Sequence, residues 1–227
     1  VLPWPIEEAV VDMKIIDKVE KTDTVRAATR VMVSAAPKSL VSKYTEIFKA
    51  AGLQPVWLET EGFAEIRSLI GKDRSTIMII DIGSLRTNIL VVEKGIPFVI
   101  RSIATGGNAI TQTIAKTLGI PLEQAETMKR DIKAMQSFTP TGDLKQILGI
   151  LVKPILEEIR YSFNMYQSQE NGNMQKRIEK IILTGGSSLL PRLPEFFTQE
   201  LNVNTYLGDP WARIVYPTDL RPVLDEL

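Results

Sequence analysis

The segment DIGSLRTNI, residues 81–89, lies between two apolar runs, residues 76–81 and 87–92. A third apolar run follows at residues 97–103, after a Lys94-Gly95 pair of the kind that closes a two-residue hairpin. Short apolar runs separated by glycine-containing turns predict β-strands that are joined by hairpins. The sequence therefore predicts three consecutive strands, with DIGSLRTNI as the turn between the first two.

The residues of this first turn suit an anion and a hydrated cation. A tight turn aims several backbone amides at one point, and such concavities bind anions. Gly83 allows close approach to the backbone, while Ser84 and Thr87 add hydroxyl donors. Asp81 ends the first strand and is a candidate for Mg²⁺, which usually binds one or two carboxylates, water and phosphate oxygens. On its own, the pattern favours a hairpin that needs glycine for its geometry.

A second glycine-containing turn occurs in ILTGGSSLLP, residues 182–191, between a predicted strand and a predicted helix. Gly185 and Gly186 place no side chain between the backbone and a ligand, so a flat base or a ribose has room to pack there. The motif is neither a Walker A loop nor a G-x-G-x-x-G fingerprint. A turn from strand to helix also takes glycine for geometry alone, so this motif leaves both interpretations open.

The first third of the chain is predicted to fold in the order β-β-α-β-α. Its first two strands are expected to be antiparallel, and the polar residues 71–75 are expected to mark a domain boundary. The predicted elements are strands at residues 10–17, 24–36 and 55–58, and helices at residues 37–51 and 61–69.

The remainder of the chain is predicted to alternate helices and strands after the three hairpin-linked strands. One long helix, residues 143–167, is expected to kink at Pro154, which removes the hydrogen bond to the Ile150 carbonyl. The other predicted elements are helices at residues 106–118, from residue 122 and at residues 191–201, strands at residues 178–183 and 203–206, and loops at residues 138–141 and 169–175. This order predicts a layered α/β fold.

Composition excludes several classes of chemistry. Lysine plus arginine and aspartate plus glutamate both count 27, so no net charge draws the chain to nucleic acid or to an acidic membrane. There is no cysteine, which excludes disulfides and thiolate metal sites and agrees with a reducing compartment. There is no histidine, so any chemistry runs on carboxylates, hydroxyls, lysine and backbone. No run reaches the roughly 20 apolar residues of a membrane span.

The D-x-G turn together with the later strand-GGSS-helix turn resembles the second half of the ATPases of the actin, Hsp70 and sugar-kinase superfamily. There the first motif is the phosphate 2 loop and the second is the adenosine loop. RSIATGGNAITQTIAKTLGI, residues 101–120, and LEQAETMK, residues 122–129, resemble a segment that the PilM family of pilus assembly proteins shares with the FtsA family. Three further stretches, residues 2–16, 35–64 and 206–227, are similar to the PilM family in particular.

This resemblance implies a site for ATP or ADP with Mg²⁺, the ion held through water by Asp81. The Gly106-Gly107 turn would open a helix at the site, and Glu126 and Lys129 would reach the base or the ribose. Without the resemblance, Glu126 and Lys129 are an ordinary solvated i, i+3 pair worth only about 0.2–0.5 kcal/mol. The implied nucleotide-binding residues are Asp81, Gly83, Ser84, Thr87, Gly106, Gly107, Glu126, Lys129, Gly185, Gly186 and Ser187.

The resemblance also implies the domain organisation of an actin-like ATPase (ribonuclease H-like) fold. Residues 1–53 would be part of a small inserted α+β subdomain, residues 54–75 the remainder of the first actin-like domain, and residues 76–227 the second domain, with an insertion at about residues 120–142. The chain is expected to be a piece of a PilM protein that lacks the phosphate 1 loop and the last helix. Nucleotide binding by the piece alone is then expected to be weak or lost, and hydrolysis weaker still. No residue is assigned as the catalytic base.

The function that the resemblance implies is a scaffold of type IV pilus assembly, peripheral to the cytoplasmic face of the bacterial inner membrane. Its partners would be the N-terminal tail of the membrane protein PilN, in a groove built from residues 10–64, and other pilus assembly proteins. Val41, Tyr44 and Trp57 are candidates for lining this groove, although core packing explains each of them as well. Exposed strand edges also predict a homodimer.

Two alternative functions remain open. An FtsA-like membrane tether would need a basic amphipathic helix near the carboxyl end, where the sequence RPVLDEL is short and acidic. A sugar-kinase-type phosphotransferase would need a carboxylate base facing a polar substrate pocket and a complete pair of phosphate loops. The sequence offers neither feature of the phosphotransferase, so the scaffold is the leading prediction.

Overall fold

The computed structural model describes residues 5–19, 28–131, 134, 143–168 and 176–224. The chain forms two compact units, Val1–Glu59 and Thr60–Leu227. The assignment of residues 1–53, 54–75 and 76–227 to parts of actin-like domains stays a prediction. The predicted loops at residues 138–141 and 169–175 lie outside the described residues.

The first unit is a β-hairpin followed by a helix. Strand β1 (Ala9–Val19) pairs antiparallel with β2 (Ala28–Pro37), with a register shift between Ile15 and Asp17. Helix α1 (Lys38–Ala50) follows directly, and Gly52 adopts φ 73° just after its end, a conformation that favours glycine. The predicted antiparallel strands and the predicted helix are confirmed, while residues 24–27 of the second strand lie outside the described residues.

The predicted strand at residues 55–58 is wrong. Residues 53–60 have no regular secondary structure, and Val56 and Trp57 are 91% and 80% exposed. The apolar pattern of this stretch resembles a strand, but a strand exists only where a neighbour completes its hydrogen bonds. The described sheets contain no strand paired with this segment.

The second unit contains a five-stranded sheet in the order β5-β4-β3-β6-β7. The first three strands of this sheet along the chain are joined by two antiparallel hairpins. Strands β3, β6 and β7 run parallel to one another. Lys94 and Gly95 both have positive φ, 54° and 79°, as a type I′ hairpin requires. The strands are β3 (Thr76–Ile82), β4 (Thr87–Glu93), β5 (Ile96–Ile103), β6 (Lys180–Thr184) and β7 (Thr205–Leu207). All five predicted strands of this region are confirmed.

Helices cover both faces of this sheet. Helix α2 (Glu61–Glu65) widens to π-helical geometry over Ile66–Ile70 and packs on one face. The other face carries α3 (Gly107–Leu118), α5 (Leu144–Leu151), α6 (Lys153–Gln167) and α7 (Leu193–Leu201). Helix α4 (Leu122–Arg130) packs against α3, and α8 (Arg221–Leu224) is the last described element.

Strand β3 is buried on both faces. Met78 and Ile80 contact the larger core under α3, α5, α6 and α7, while Ile77 and Ile79 contact Ile66 and Ile70 on the α2 side. Each fully buried isoleucine contributes about 1.5–3 kcal/mol through removal of apolar surface from water. Two-sided burial explains why the sequence of this strand is a continuous apolar run and does not alternate.

The single kinked helix predicted for residues 143–167 is two helices, α5 and α6. They meet at Val152, whose ψ of 14° is outside the helical range, and Pro154 occupies the first turn of α6. Proline has no N–H to donate, and the first helical turn is the place where no donor is needed. The chain therefore restarts a helix at this proline.

Among the residues that the structure describes, no helix has both the length and the apolar character that crossing a membrane requires.

Candidate functional site

The carboxyl ends of two parallel neighbours, β3 and β6, meet at one edge of the sheet. Asp81 of β3 lies opposite Thr184 of β6 in the strand register. The connections that follow these two strands lead to opposite sides of the sheet order. Strand β3 turns back into the antiparallel β4, whereas β6 leads through α7 to the parallel β7. A point at which the strand connections diverge leaves a crevice where α/β proteins commonly bind ligands.

The first predicted turn is fastened to the start of helix α3. Gly83 donates its N–H to the Arg86 carbonyl at 3.0 Å, and the carbonyls of Gly83 and Ser84 accept from Gly107 (2.9 Å) and Asn108 (2.8 Å). Two of the amides at the helix start are thereby used inside the protein. The amides of Gly107 and Asn108 at the start of α3 are therefore not available to an anion.

Gly106 makes this close approach possible. A Cβ on Gly106 would lie 2.5 Å from the Gly83 carbonyl oxygen and 2.8 Å from that of Ser84. Thr87 supports the same region from below, since it is fully buried and its hydroxyl donates to the Thr105 carbonyl at 2.7 Å. Thr87 would therefore affect a ligand only indirectly, by fixing the shape of the turn.

The second predicted turn contacts the first one directly. Gly185 has φ 82°, and a Cβ there would overlap the Asp81 carboxylate and lie 2.6 Å from the Ile82 carbonyl oxygen. The Ser187 hydroxyl points at the Gly83 carbonyl over 3.4 Å. Gly186, in contrast, has open space where its side chain would be. The turns at Asp81 and Gly185 are thus two walls of one concavity.

Lys129 joins helix α4 to the start of helix α3 at Gly107. Its ammonium group is nearly buried and donates to the Glu126 carboxylate (2.6 Å), the Thr111 hydroxyl (3.0 Å) and the Gly107 carbonyl (3.3 Å). Thr111 also donates to the Glu126 carboxylate at 2.6 Å. The hydrogen bond from Lys129, followed by that from Thr111, lowers the pKa of Glu126 to about 2. Glu126 and Lys129 are therefore a partly buried, internally compensated network and not an ordinary solvated pair.

Three carboxylates meet on the α2 side of the same strand end. Oxygen atoms of Glu61, Glu65 and Asp81 lie within 4.8 Å of one another, and the Asn88 amide donates to Glu61 (3.2 Å) and to Asp81 (3.5 Å). Burial, followed by the charges of Asp81 and Glu61, raises the pKa of Glu65 to about 7. Burial and the charge of Glu61 also raise the pKa of Asp81. We call this group the carboxylate cluster.

One oxygen of the carboxylate cluster has no partner. The Glu65 Oε2 atom is buried, and no described residue donates a hydrogen bond to it. The cluster borders a cavity of about 660 Å³. The cavity is lined by Glu61, Ala64, Glu65, Arg67, Ser68, Asp81, Thr184, Gly185, Pro210, Arg213 and Ile214.

The structure thus brings most of the predicted residues into one region. Asp81, Gly83, Ser84, Gly106, Gly107, Gly185 and Ser187 are linked by direct contacts, and Lys129 with Glu126 extends this group. Glu61 and Glu65 are the residues that sequence reasoning missed. Their spacing of four on the predicted helix before β3 was the available signal, because it places both side chains on one helix face.

Comparisons with known proteins agree with this fold. The family model for type IV pilus assembly protein PilM matches residues 1–224. The cell division protein FtsA of Neisseria meningitidis is 24% identical over 205 residues, which cover 82% of this chain and 49% of FtsA. The chain therefore spans about half the length of this curated relative.

Two solved structures share the architecture. The PilM-PilN type IV pilus biogenesis complex aligns with a TM-score of 0.73 and 24% identity, covering 99% of this chain and 64% of that one. MreB5 of Spiroplasma citri bound to AMPPNP aligns with a TM-score of 0.60 and 17% identity, covering 85% of this chain and 68% of MreB5. The predicted α/β fold of the actin-like ATPases is confirmed.

The two glycines of the second turn provide a matched pair of variants. We expect Gly185→Ala to destabilise the protein by about 2–4 kcal/mol, because its φ is positive and the new methyl group meets Asp81 and the Ile82 carbonyl. Gly186→Ala meets open space and should change stability by less than about 1 kcal/mol. Chemical denaturation measures both, and equal effects of the two variants would contradict the geometry described for this turn.

Glu65 should make stability depend on pH. Its folded pKa of about 7 lies above the ordinary value of 4.5, so the folded state binds the proton more tightly, and stability falls as pH rises between these values. After discounting for solvent screening, we expect Glu65→Gln to be about 1–2 kcal/mol more stable than wild type at pH 8. This gain should vanish below pH 4.5. Denaturation across pH measures it, with the exposed Glu123→Gln as a control that should show no such trend.

Proposed function

The chain belongs to the PilM family of type IV pilus assembly proteins, and on this premise we propose that it forms one wall of the nucleotide site of a pilus assembly scaffold. The observation that carries the proposal is the convergence of two glycine turns on Asp81 at the edge where β3 and β6 end. The cavity at this point is lined by Asp81, Thr184 and Gly185 together with Glu61 and Glu65 of helix α2. A lone hairpin or a lone strand-to-helix turn would not require glycine at both contact points.

The residues of this concavity fit a nucleotide. Gly186 has open space where its side chain would be, a tight turn such as the one after Asp81 suits phosphate, and the Lys129–Glu126 network lies beside Gly107. Structures of relatives with this fold include MreB5 bound to AMPPNP. ATP or ADP is accordingly the proposed ligand, with Gly83, Ser84, Gly107, Gly186 and Ser187 near it.

The carboxylate cluster fits a divalent cation that accompanies the phosphates. Its oxygens are hard ligands of the kind that Mg²⁺ prefers, and the orphaned Glu65 Oε2 atom is a buried acceptor without a donor. Asp81 would hold the ion through water, and the ion would neutralise phosphate charge. Without a cation, three carboxylates repel a polyphosphate, so binding should require the metal.

The proposed partner is the N-terminal tail of PilN. One solved neighbour is the PilM-PilN complex, and the first unit presents exposed apolar side chains, including Tyr44 at 50% and Trp57 at 80% exposure. Large contiguous apolar patches on a protein surface, unlike single exposed side chains, often mark partner sites. Other pilus assembly proteins, a homodimer, and a location at the cytoplasmic face of the inner membrane belong to the same proposal.

A second candidate function is an FtsA-like membrane tether. The observation in its favour is the match to the FtsA of Neisseria meningitidis. A tether and a pilus scaffold would share the nucleotide site but differ in partner. Binding to the PilN tail is therefore the property that separates them.

Nucleotide binding should depend on Asp81 and on Mg²⁺. We expect calorimetric titration of Mg·ADP to show binding that the chelator EDTA abolishes and that Asp81→Asn weakens about tenfold or more. The exposed Asp12→Asn on β1 is a charge-matched control and should bind as wild type does. The longer family protein, titrated in parallel, gives the affinity of the complete site. Full binding by Asp81→Asn, or binding that ignores EDTA, would exclude the proposed arrangement.

A synthetic peptide of the PilN tail should bind the folded chain. We expect calorimetry to show saturable binding that weakens about tenfold when Tyr44 and Trp57 are both replaced by alanine, since aromatic side chains dominate such interfaces. Replacement of Leu122, an equally exposed residue of the second unit at 57%, should have no effect. Absence of binding by both this chain and the longer protein would contradict the pilus partner while leaving the nucleotide site standing.

A further inference from the structure

Arg213 binds the carboxyl end of the helix that carries Glu61 and Glu65, where Asp73 also donates its N–H to the Ile70 carbonyl at 3.2 Å. Arg213 donates through Nε to the Ser68 carbonyl (2.8 Å) and through Nη2 to the carbonyls of Leu69 (3.2 Å) and Ile70 (2.7 Å). The last carbonyls of a helix have no partners within the helix. One guanidinium group thus satisfies three consecutive carbonyls at the end of the π-helical turn Ile66–Ile70. We call this arrangement the Arg213 clip.

The backbone beside the Arg213 clip is shaped to admit the guanidinium. Gly71 has φ 57°, and a Cβ on it would overlap the guanidinium and lie 2.8 Å from Arg213 Nη2. The positive group also lies at the negative end of the helix dipole. Glycine at residue 71 and arginine at residue 213, far apart in sequence, therefore form one fitted contact.

Arg213 is itself fixed by the segment that follows β7. The Asp209 carboxylate accepts from the Trp211 N–H at 2.9 Å, and the Trp211 indole donates to the Leu224 carbonyl at 3.1 Å. Residues 209–224 thus form a folded segment that reaches the helix end through Arg213. A displacement of this segment would be transmitted to the helix.

The opposite end of the same helix faces the candidate site. Glu61 and Glu65 meet Asp81 there, and Gly62 lies so close to β4 that a Cβ would come within 2.6 Å of the Leu90 side chain. Arg213, Glu61, Glu65 and Asp81 all line the same cavity. A helix of ten residues is about 15 Å long and moves nearly as a rigid body, so fixing one end orients the other.

We propose that Arg213 is a positioning residue: its clip on the end of helix 61–70 holds Glu61 and Glu65 against Asp81, and so makes the cation-dependent nucleotide affinity depend on the segment 209–224. This inference rests on the proposed nucleotide function. Arginine suits the role because its planar fork presents several donors in a fixed geometry, whereas lysine offers one compact charge.

The test compares Arg213→Met and Arg213→Lys with Arg101→Met. Arg101 lies on β5 and pairs with Glu158 at 2.6 Å, so its replacement also removes an arginine charge and its hydrogen bond, but from a group that does not touch the helix. Circular dichroism is used to find a temperature at which wild type and the three variants are all folded. Hydrogen exchange of the amides in residues 61–70 and calorimetric titration with Mg·ADP are then measured on the whole chain.

We expect Arg213→Met to raise exchange in residues 61–70 and to weaken Mg·ADP about tenfold, the lower range for loss of a group that orients a metal ligand. Arg213→Lys should lie between Arg213→Met and wild type in both measurements, because it keeps the charge at the helix end. Arg101→Met should match wild type in both. This pattern would support the positioning role.

Two results would overturn it. Unchanged exchange in Arg213→Met would show that the clip does not fix the helix, and raised exchange with unchanged Mg·ADP affinity would reduce Arg213 to a structural residue. Absence of Mg·ADP binding by both the wild-type chain and the longer family protein overturns the proposed nucleotide function instead. In that event hydrogen exchange still tests whether the Arg213 clip fixes the helix. Raised exchange in Arg213→Met supports this role, and unchanged exchange overturns it.

Discussion

The two-sided burial of strand β3 is the constraint on which the rest of the second unit depends. Its side chains alternate between a core under α2 and a larger core under α3, α5, α6 and α7. A shift of the strand register by one residue would exchange these side chains between the two cores and disrupt the packing of both. Antiparallel pairing with β4 and parallel pairing with β6 then fix the place where Asp81 emerges. The position of the candidate site is thus a consequence of packing in the strand beneath it.

Much of this fold follows from the sequence because its signals are local. The apolar runs around DIGSLRTNI, the Lys94-Gly95 turn and the glycine after α3 each specify backbone geometry through their own residues. The predicted strand at residues 55–58 failed for the opposite reason. Its apolar pattern is genuine, but pairing with a neighbour decides whether a strand forms, and that depends on the rest of the chain.

The same distinction between local sequence signals and long-range packing applies to the residues of the candidate site. The glycines were predictable because turn geometry demands them, and Asp81 because it is a carboxylate that ends an apolar strand. The carboxylate cluster, in contrast, forms only when α2 packs beside the end of β3. The burial of Lys129 could not be predicted from the sequence either, since the spacing of Glu126 and Lys129 is that of any solvated helical pair. Thr111, one helix earlier, supplies the contact that turns this pair into a network.

The two polar clusters differ in how their charge is compensated. Glu126 has a lysine and a hydroxyl at hydrogen-bond distance, and its pKa falls to about 2. Glu65 has two like charges nearby and a buried oxygen without a donor, and its pKa rises to about 7. The first cluster is complete within the protein, whereas the raised pKa of Glu65 means that the second carries a stability cost at neutral pH. We infer that such an arrangement persists because a positive charge from outside the chain completes it, and a metal-bound nucleotide is the ligand that brings that charge to the edge where Asp81 lies.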